Sequence, residues 1–219
     1  MLTWKSTIVW SPVSLLVSAL QDPEEALVQA IAVLEAGGTV VIPTDTVYGV
    51  GALPRIRGAT GALFALKDRP AAQPLAVLVA DRAQALELVD PSAVNQRIEG
   101  WMSRWWPGPL TLVLPRSTSA REMELGGASG TVGVRCPDSD FVRMLAAHVG
   151  PIATTSANRH GEPTATDAAA AASSLVGLVD LVVDGGPAGT VASTVIDVSD
   201  LTPRMLREGS VSATELGLT

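Results

Sequence analysis

The chain has 219 residues, 47% apolar and 17% charged, a balance that belongs to a folded globular protein and excludes a disordered one. Its net charge of −7 gives no overall field to attract nucleic acid, so any RNA contact needs a local basic patch. A single cysteine, Cys136, excludes an intramolecular disulfide and points to a reducing compartment; with only His148 and His160 beside it, a structural zinc site is not expected.

Near the N-terminus Lys5 precedes VSLLVSAL (13–20), a loose likeness to a secretion signal. Pro12 and the serines weaken it, and no small-x-small cleavage site follows, so a cytoplasmic location is expected. No run approaches the ~18 apolar residues of a membrane helix. DPEEALVQAIAVLEAGG (22–38) is the clearest helix: Asp22 as cap, Pro23 in the first turn, and Glu25 at capping-box spacing. Leu27, Ala30, Ile31 and Leu34 make its apolar stripe, and Gly37 ends it. TVVI (39–42) reads as a buried strand, ATGALFALK (59–67) as a helix, and LAVLVA (75–80) as another buried strand.

DRAQALELV (81–89) and AVNQRIEGWMSRWW (93–106) read as helices, the second stopped by Pro107-Gly108-Pro109. LTLVL (110–114) and TVGVR (131–135) are strands separated by a Gly- and Ser-rich loop. DFVRMLAAHV (140–149) is a helix, PIATTSA (151–157) a short strand, and TDAAAAASSL (166–175) a helix. LVDLVVD (178–184), STVIDVS (193–199) and PRMLRE (203–208) supply the closing strands. There is no internal repeat and no long linker. Intermingled strands and helices with short connections predict an α/β fold: a single domain over 1–219 built on one large mixed sheet.

Polar residues cluster where strands end or helices begin: PTDTVYG (43–49), KDRP (67–70), PGPLT (107–111), TTSAN (154–158), and STVID (193–197) with LREG (206–209). Ligands gather in the crevice beyond strand ends of open α/β sheets. Each stretch also has a plain reading, since hydroxyls after a strand usually serve turns and caps, and Lys-x-Arg at a helix end suits the helix dipole. Together they say more. Lys67 and Arg69 are two cations that complement a polyphosphate, Arg207 can add a third, and the hydroxyls with Asn158 offer neutral hydrogen bonds. No phosphate loop and no G-x-G-x-x-G after the first strand is present. No Ser has an evident His partner, and no carboxylate pair signals acid–base work. The chemistry implied is positioning and electrostatics on a nucleotide.

PTDTVYGVG, KDRP with PL after it, WPGPLTLVL, GVRCP, PIATTSAN, STVIDV and LREG resemble, in that order, the YrdC family over roughly residues 25–210. The resemblance implies a twisted, open YrdC/RibB-like sheet with flanking helices and a large, positively lined concave ligand face. It implies a nucleotidyltransferase, a threonylcarbamoyl-AMP synthase, that joins L-threonine, bicarbonate and ATP and releases pyrophosphate. The adenylate would feed the threonylcarbamoyl modification of adenosine in tRNA, through downstream transfer proteins. A longer branch of the family carries an extra C-terminal domain, for which this chain is expected to be too short.

By motif, the resemblance places Lys67 and Arg69 on the ATP phosphates as the catalytic cations. Gln73, Thr111, Ser156, Asn158 and Thr164 would line the nucleotide, and Arg207 would also face ATP. Thr46, Thr154 and Ser193 or Thr194 would face threonine. Mg²⁺ is expected with ATP, with no organic cofactor and no protein metal site. Arg116 and Arg135 are weaker candidates, because arginines at strand ends often serve structural ion pairs. Two departures stand out: Leu78 occupies the place of a His that reaches threonine in some members, and Arg159-His160-Gly161 follows the SAN motif where Ser-Gly is frequent. His160 reads as a loop residue and Cys136 as buried and inert. The alternatives are a relative acting on another carbamate, or one that only binds nucleotide; the family includes such offshoots, and one domain of the hydrogenase-maturation carbamoyltransferase shares the fold. A third is a double-stranded-RNA module, which would need a patch of Arg55, Arg57, Lys67 and Arg69.

Overall fold

The computed structural model describes residues 15–127 and 130–218. Its first strand, β1 (Leu15–Ser18), falls inside the signal-like stretch and pairs in parallel with β8 (Leu181–Asp184), so this part of VSLLVSAL is sheet. Lys5, Pro12 and residues 13–14 lie outside the described residues. Helix α1 (Pro23–Glu35) begins as read, with the Asp22 carboxylate accepting from the Glu25 backbone N–H at 3.0 Å. The reciprocal half of the capping box does not form, because Glu25 instead accepts from Gln29 one turn on. Its buried positions are Ala26, Ala30 and Leu34, with Leu27 and Ile31 at the margin of that stripe.

Strand β2 (Val40–Ile42) turns back through PTDTVY into β3 (Gly49–Ala52), an antiparallel partner absent from the sequence reading. GVGA has poor strand propensity on its own. Its glycines are required by the neighbouring β7 (Ile152–Ser156): a Cβ on Gly51 would meet Ile152 Cγ2 at 2.8 Å. Helix α2 (Gly61–Lys67) ends on Asp68 in the left-handed region, φ +50°. There follow β4 (Ala76–Leu78), α3 (Arg82–Leu88) and α4 (Gln96–Trp105). The last begins three residues later than the sequence suggests, because Asn95 caps the N–H groups of Arg97 and Ile98. β5 (Leu110–Pro115), β6 (Thr131–Arg135), α5 (Asp140–Val149) and β7 come next, then α6 (Ala168–Ser173), β8, β9 (Thr194–Asp197) and β10 (Arg204–Arg207).

The ten strands form one mixed sheet in the order β1-β8-β2-β3-β7-β4-β6-β5-β9-β10. β4 with β6 and β5 with β9 are parallel, while β3 with β7, β7 with β4 and β5 with β6 are antiparallel. α1 and α5 cover one face, burying Leu34, Leu145 and Val149 against Val40, Ile42 and Ile152. A second cluster, with Leu63, Met102, Leu110, Leu112 and Val134, fills the other side. On the face that carries α1 and α5, beyond those helices, the central strands leave a stretch of sheet open as a cavity, and the site lies there.

Candidate functional site

Alternation along the central strands builds the site. On β5, Leu110, Leu112 and Leu114 are buried in the core, while Thr111 and Val113 face a cavity of about 610 Å³. On β6 Val132 and Val134 point to the core, and Thr131, Gly133 and Arg135 to the cavity. The register aligns these residues across the sheet. Thr154, Ala76, Gly133, Val113 and Asp197 form one row from β7 to β9; Leu78, paired to Arg135, and Val195, paired to Thr111, lie in the next. Four strand spacings separate Thr154 from Asp197, about 19 Å, long enough for an extended nucleotide.

At one end the β2–β3 turn delivers Thr46 to the cavity. Thr44 shapes that turn: its Oγ1 donates to the Val47 carbonyl at 2.6 Å and accepts from the N–H groups of Thr46 and Val47. Arg135 locks it from the sheet. One guanidinium nitrogen donates to Thr46 Oγ1 at 2.9 Å, another to Asp45 Oδ1 at 2.6 Å, and Nε to the Gly108 carbonyl at 2.9 Å. Burial lowers the Arg135 pKa, and the Asp45 carboxylate opposes that loss. Sequence reasoning ranked Arg135 low as a structural ion pair; it is an ion pair, and it also lines the cavity. Thr154 lies beside Gly49, where a Cβ would come within 3.0 Å of Thr154 Oγ1.

The opposite wall carries Arg69, fanned over Thr155 Oγ1 (3.2 Å) and the carbonyls of Pro74 (3.0 Å) and Gln73 (3.3 Å). Gln73 and Ser156 line the same wall. At the β9–β10 side, Arg207 donates to the Ser193 carbonyl at 2.9 Å and to Ser193 Oγ at 3.0 Å, and Ser193 shares a 2.9 Å hydrogen bond with Thr111. Burial lowers the pKa of Arg207, and the charges of Arg135 and Arg69 lower it further. Three guanidiniums thus share one concavity. Among the described residues the only acidic side chain lining it is Asp197. Burial pushes the Asp197 carboxyl up, but hydrogen bonds from Ser199 and Arg204 outweigh it and leave the pKa below its ordinary value. Such a site receives anions.

Four expected contact residues do not line the cavity. Lys67 is 2% exposed, and its ammonium donates to the Ser156 carbonyl at 2.6 Å, to the Asn158 carbonyl, and to Asn158 Oδ1 at 3.1 Å. It makes no salt bridge among the described residues, and burial with the nearby Arg69 charge lowers its pKa to about 8. Its place is under the end of β7, outside the lining of the cavity. Asn158 is spent on the same turn, its amide donating to the carbonyls of Arg159 and Glu162. Thr194 is fully buried and tied to Val211 and Gly209, and Thr164 donates to the Thr190 carbonyl. The second was placed by resemblance alone, and the first by an adjacent pair in which alternation sends Ser193 to the cavity and Thr194 to the core.

Arg116 is structural, though not through an ion pair: it donates to the carbonyls of Thr131, Met123 and Ala120. Leu78 lines the cavity beside Arg135. Cys136 is buried, and burial pushes its thiol up to about 11. His160 sits exposed in its loop. The basic patch required for RNA does not assemble from the four residues named for it, since Lys67 is buried, Arg69 lies in the cavity and Arg55 pairs with Glu35. Among the described residues no group of three or more His, Cys, Asp or Glu is placed to hold a metal, and no helix is long and apolar enough to cross a membrane. Sequence reasoning missed Ala76, Gly133, Asp197 and Leu206; the alternation of β4, β6 and β9 was the signal that could have found the first three.

The family described as telomere recombination, which takes in Sua5, YciO and YrdC proteins, matches residues 32–209. A Mycobacterium leprae protein provisionally named a threonylcarbamoyl-AMP synthase is 38% identical over 201 residues, covering 89% of each chain. The Bacillus subtilis threonylcarbamoyl-AMP synthase is 38% identical over 89% of this chain but only 56% of its own length. The crystal structure of Pyrococcus abyssi Sua5 complexed with L-threonine is 34% identical with a TM-score of 0.83, over 94% of this chain and 60% of that one. This chain therefore spans little more than half of the longer relatives.

Proposed function

The chain belongs to the Sua5/YciO/YrdC family, and we propose that it joins L-threonine, bicarbonate and ATP into threonylcarbamoyl-AMP and pyrophosphate. The observation that carries this reading is the cavity: three guanidiniums and a ring of hydroxyls, with no histidine, cysteine or lysine lining it among the described residues. It is built to collect anions and hold them, and the condensation asks for that. The threonine amine takes up the bicarbonate carbon with loss of water, giving a carbamate. A carbamate oxygen then forms a bond to the α-phosphorus as the bond to pyrophosphate breaks.

Carbamate and triphosphate repel each other, so the cations must screen the approach. Arg69 and Arg207 take the phosphates, with Gln73, Ser156 and Thr111 along the nucleotide. Thr46, Thr154 and Ser193 hold threonine, and Arg135 fixes Thr46 in place. Lys67 acts through Ser156 and Asn158 as a positioning residue. Mg²⁺ enters with ATP on its phosphates, as part of the substrate; the one cavity carboxylate, Asp197, is occupied by Ser199 and Arg204. The adenylate passes to proteins that transfer the threonylcarbamoyl group to tRNA adenosine, work done in the cytoplasm, with RNA contact at most weak for so acidic a chain. Pyrophosphate release from ATP, Mg²⁺ and bicarbonate should depend on added L-threonine. Release that ignores threonine, or answers to another amino acid alone, defeats the proposal.

A further inference from the structure

Strands β8 and β9 follow one another in the chain but stand second and ninth in the sheet, seven spacings apart, about 34 Å along the sheet. Only residues 185–193 join them, with no helix, strand or hydrogen-bonded turn of their own. At full extension such a segment reaches about 30–35 Å, a comparable length. It therefore crosses as a nearly straight strap, and where the strap is held decides where its last residues, Ala192 and Ser193, enter the cavity. It is held against the PTDTVY turn. A Cβ on Gly185 would meet Pro43 Cγ at 2.5 Å, and one on Gly189 would meet the Thr46 carbonyl oxygen at 2.6 Å. Neither glycine lies in the left-handed region, so close approach of the two segments demands both. Between these contacts Tyr48, 1% exposed, donates its hydroxyl to the Gly186 carbonyl at 2.6 Å and accepts from the Gly185 N–H at 3.1 Å. On the strap's other side the Ala188 N–H donates to the Thr166 carbonyl at 2.8 Å.

Resting on the assignment of Thr46 and Ser193 to threonine above, we propose that Tyr48 is a positioning residue for the amino acid: its hydroxyl pins the strap to the turn and so sets the spacing between Thr46 and Ser193. Tyr48 does not line the cavity, and it acts through the turn on one side and the strap on the other. Arg69, Gln73 and Ser156, on other segments, hold ATP independently of it.

The test compares wild type, Tyr48→Phe, Gly189→Ala and Leu145→Ala in adenylate formation, with ATP affinity measured by calorimetric titration. Tyr48→Phe keeps the buried ring and removes only the pin, whereas Gly189→Ala drives the strap off the turn at the Thr46 carbonyl. In both, the KM for L-threonine should rise about tenfold, with kcat and ATP affinity each within about threefold of wild type. Tyr48→Phe should also lower Tm by about 2–8 °C. Leu145→Ala, in the core under α5, lowers Tm at least as far and should leave the threonine KM unchanged, which separates positioning from lost stability. Should Gly189→Ala fold poorly, the isosteric Tyr48→Phe decides alone. A wild-type threonine KM in Tyr48→Phe, an equal loss of ATP affinity, or the same rise in Leu145→Ala overturns the role of Tyr48 while leaving the proposed activity standing. A wild type whose product formation ignores threonine overturns the underlying assignment as well.

Discussion

Two buried cations brace opposite ends of the cavity, and they do so differently. Arg135 has a carboxylate partner in Asp45 and turns part of its guanidinium to the cavity through Thr46. Lys67 has only carbonyl, amide and hydroxyl oxygens around it, and no side-chain surface in the cavity. Both come from motifs that look like anion binders, yet one is a wall of the site and the other a post behind it. The difference follows from geometry: a planar fork on a strand can serve a neighbour and the cavity at once, whereas an ammonium at a helix end is consumed by the carbonyls that surround it.

The strongest way to break the comparison is at Arg135. Arg135→Leu strands Asp45 near the interior, so stability should fall by about 3–5 kcal/mol in a urea melt. A loss under 1 kcal/mol would show the pair to be ornamental. Arg69, a cation that faces the cavity without a carboxylate, supplies the contrast: Arg69→Ala should leave the melt nearly unchanged and cost about 2–4 kcal/mol of transition-state binding in the adenylate assay. Lys67→Met falls between, at about 1–3 kcal/mol of stability for the carbonyls it leaves unsatisfied. Loss of ATP affinity should accompany it, whereas a phosphate ligand would lose affinity with no change in the melt. The smallest effect concerns Cys136. A thiol near 11 instead of 9.0 holds about 100-fold less thiolate at neutral pH. Alkylation of the native protein should be slowed at least that much, and should climb only as pH approaches 11.

Elements and most of the site were legible in the sequence for different reasons. Asp22 caps its helix as read, because capping is decided within a few residues; Asp81, Ser139 and Asp167 cap theirs in the same way, though the sequence reading did not name them. Strand β3 was not legible, since GVGA acquires its strand character only from Ile152 and Thr154 across the sheet. Of the motif stretches, residues of PTDTVYG with Arg69, Ser156, Ser193 and Arg207 come together around one cavity. The stretches could not say which residue in each faces it: Ser193 does and Thr194 does not, Ser156 does and Asn158 does not. Those choices rest on strand alternation and on where Lys67 spends its protons. The floor of Ala76 and Gly133 escaped notice because its contribution is the side chains it lacks.

The most direct test of the account is the adenylate itself, measured by mass after incubating wild type and Arg69→Ala with ATP, Mg²⁺, bicarbonate and L-threonine. Threonylcarbamoyl-AMP should form with the wild type, in step with pyrophosphate, and about 30- to 1000-fold more slowly with a fully folded Arg69→Ala. No adenylate from the wild type, or equal rates from the two proteins, would contradict it.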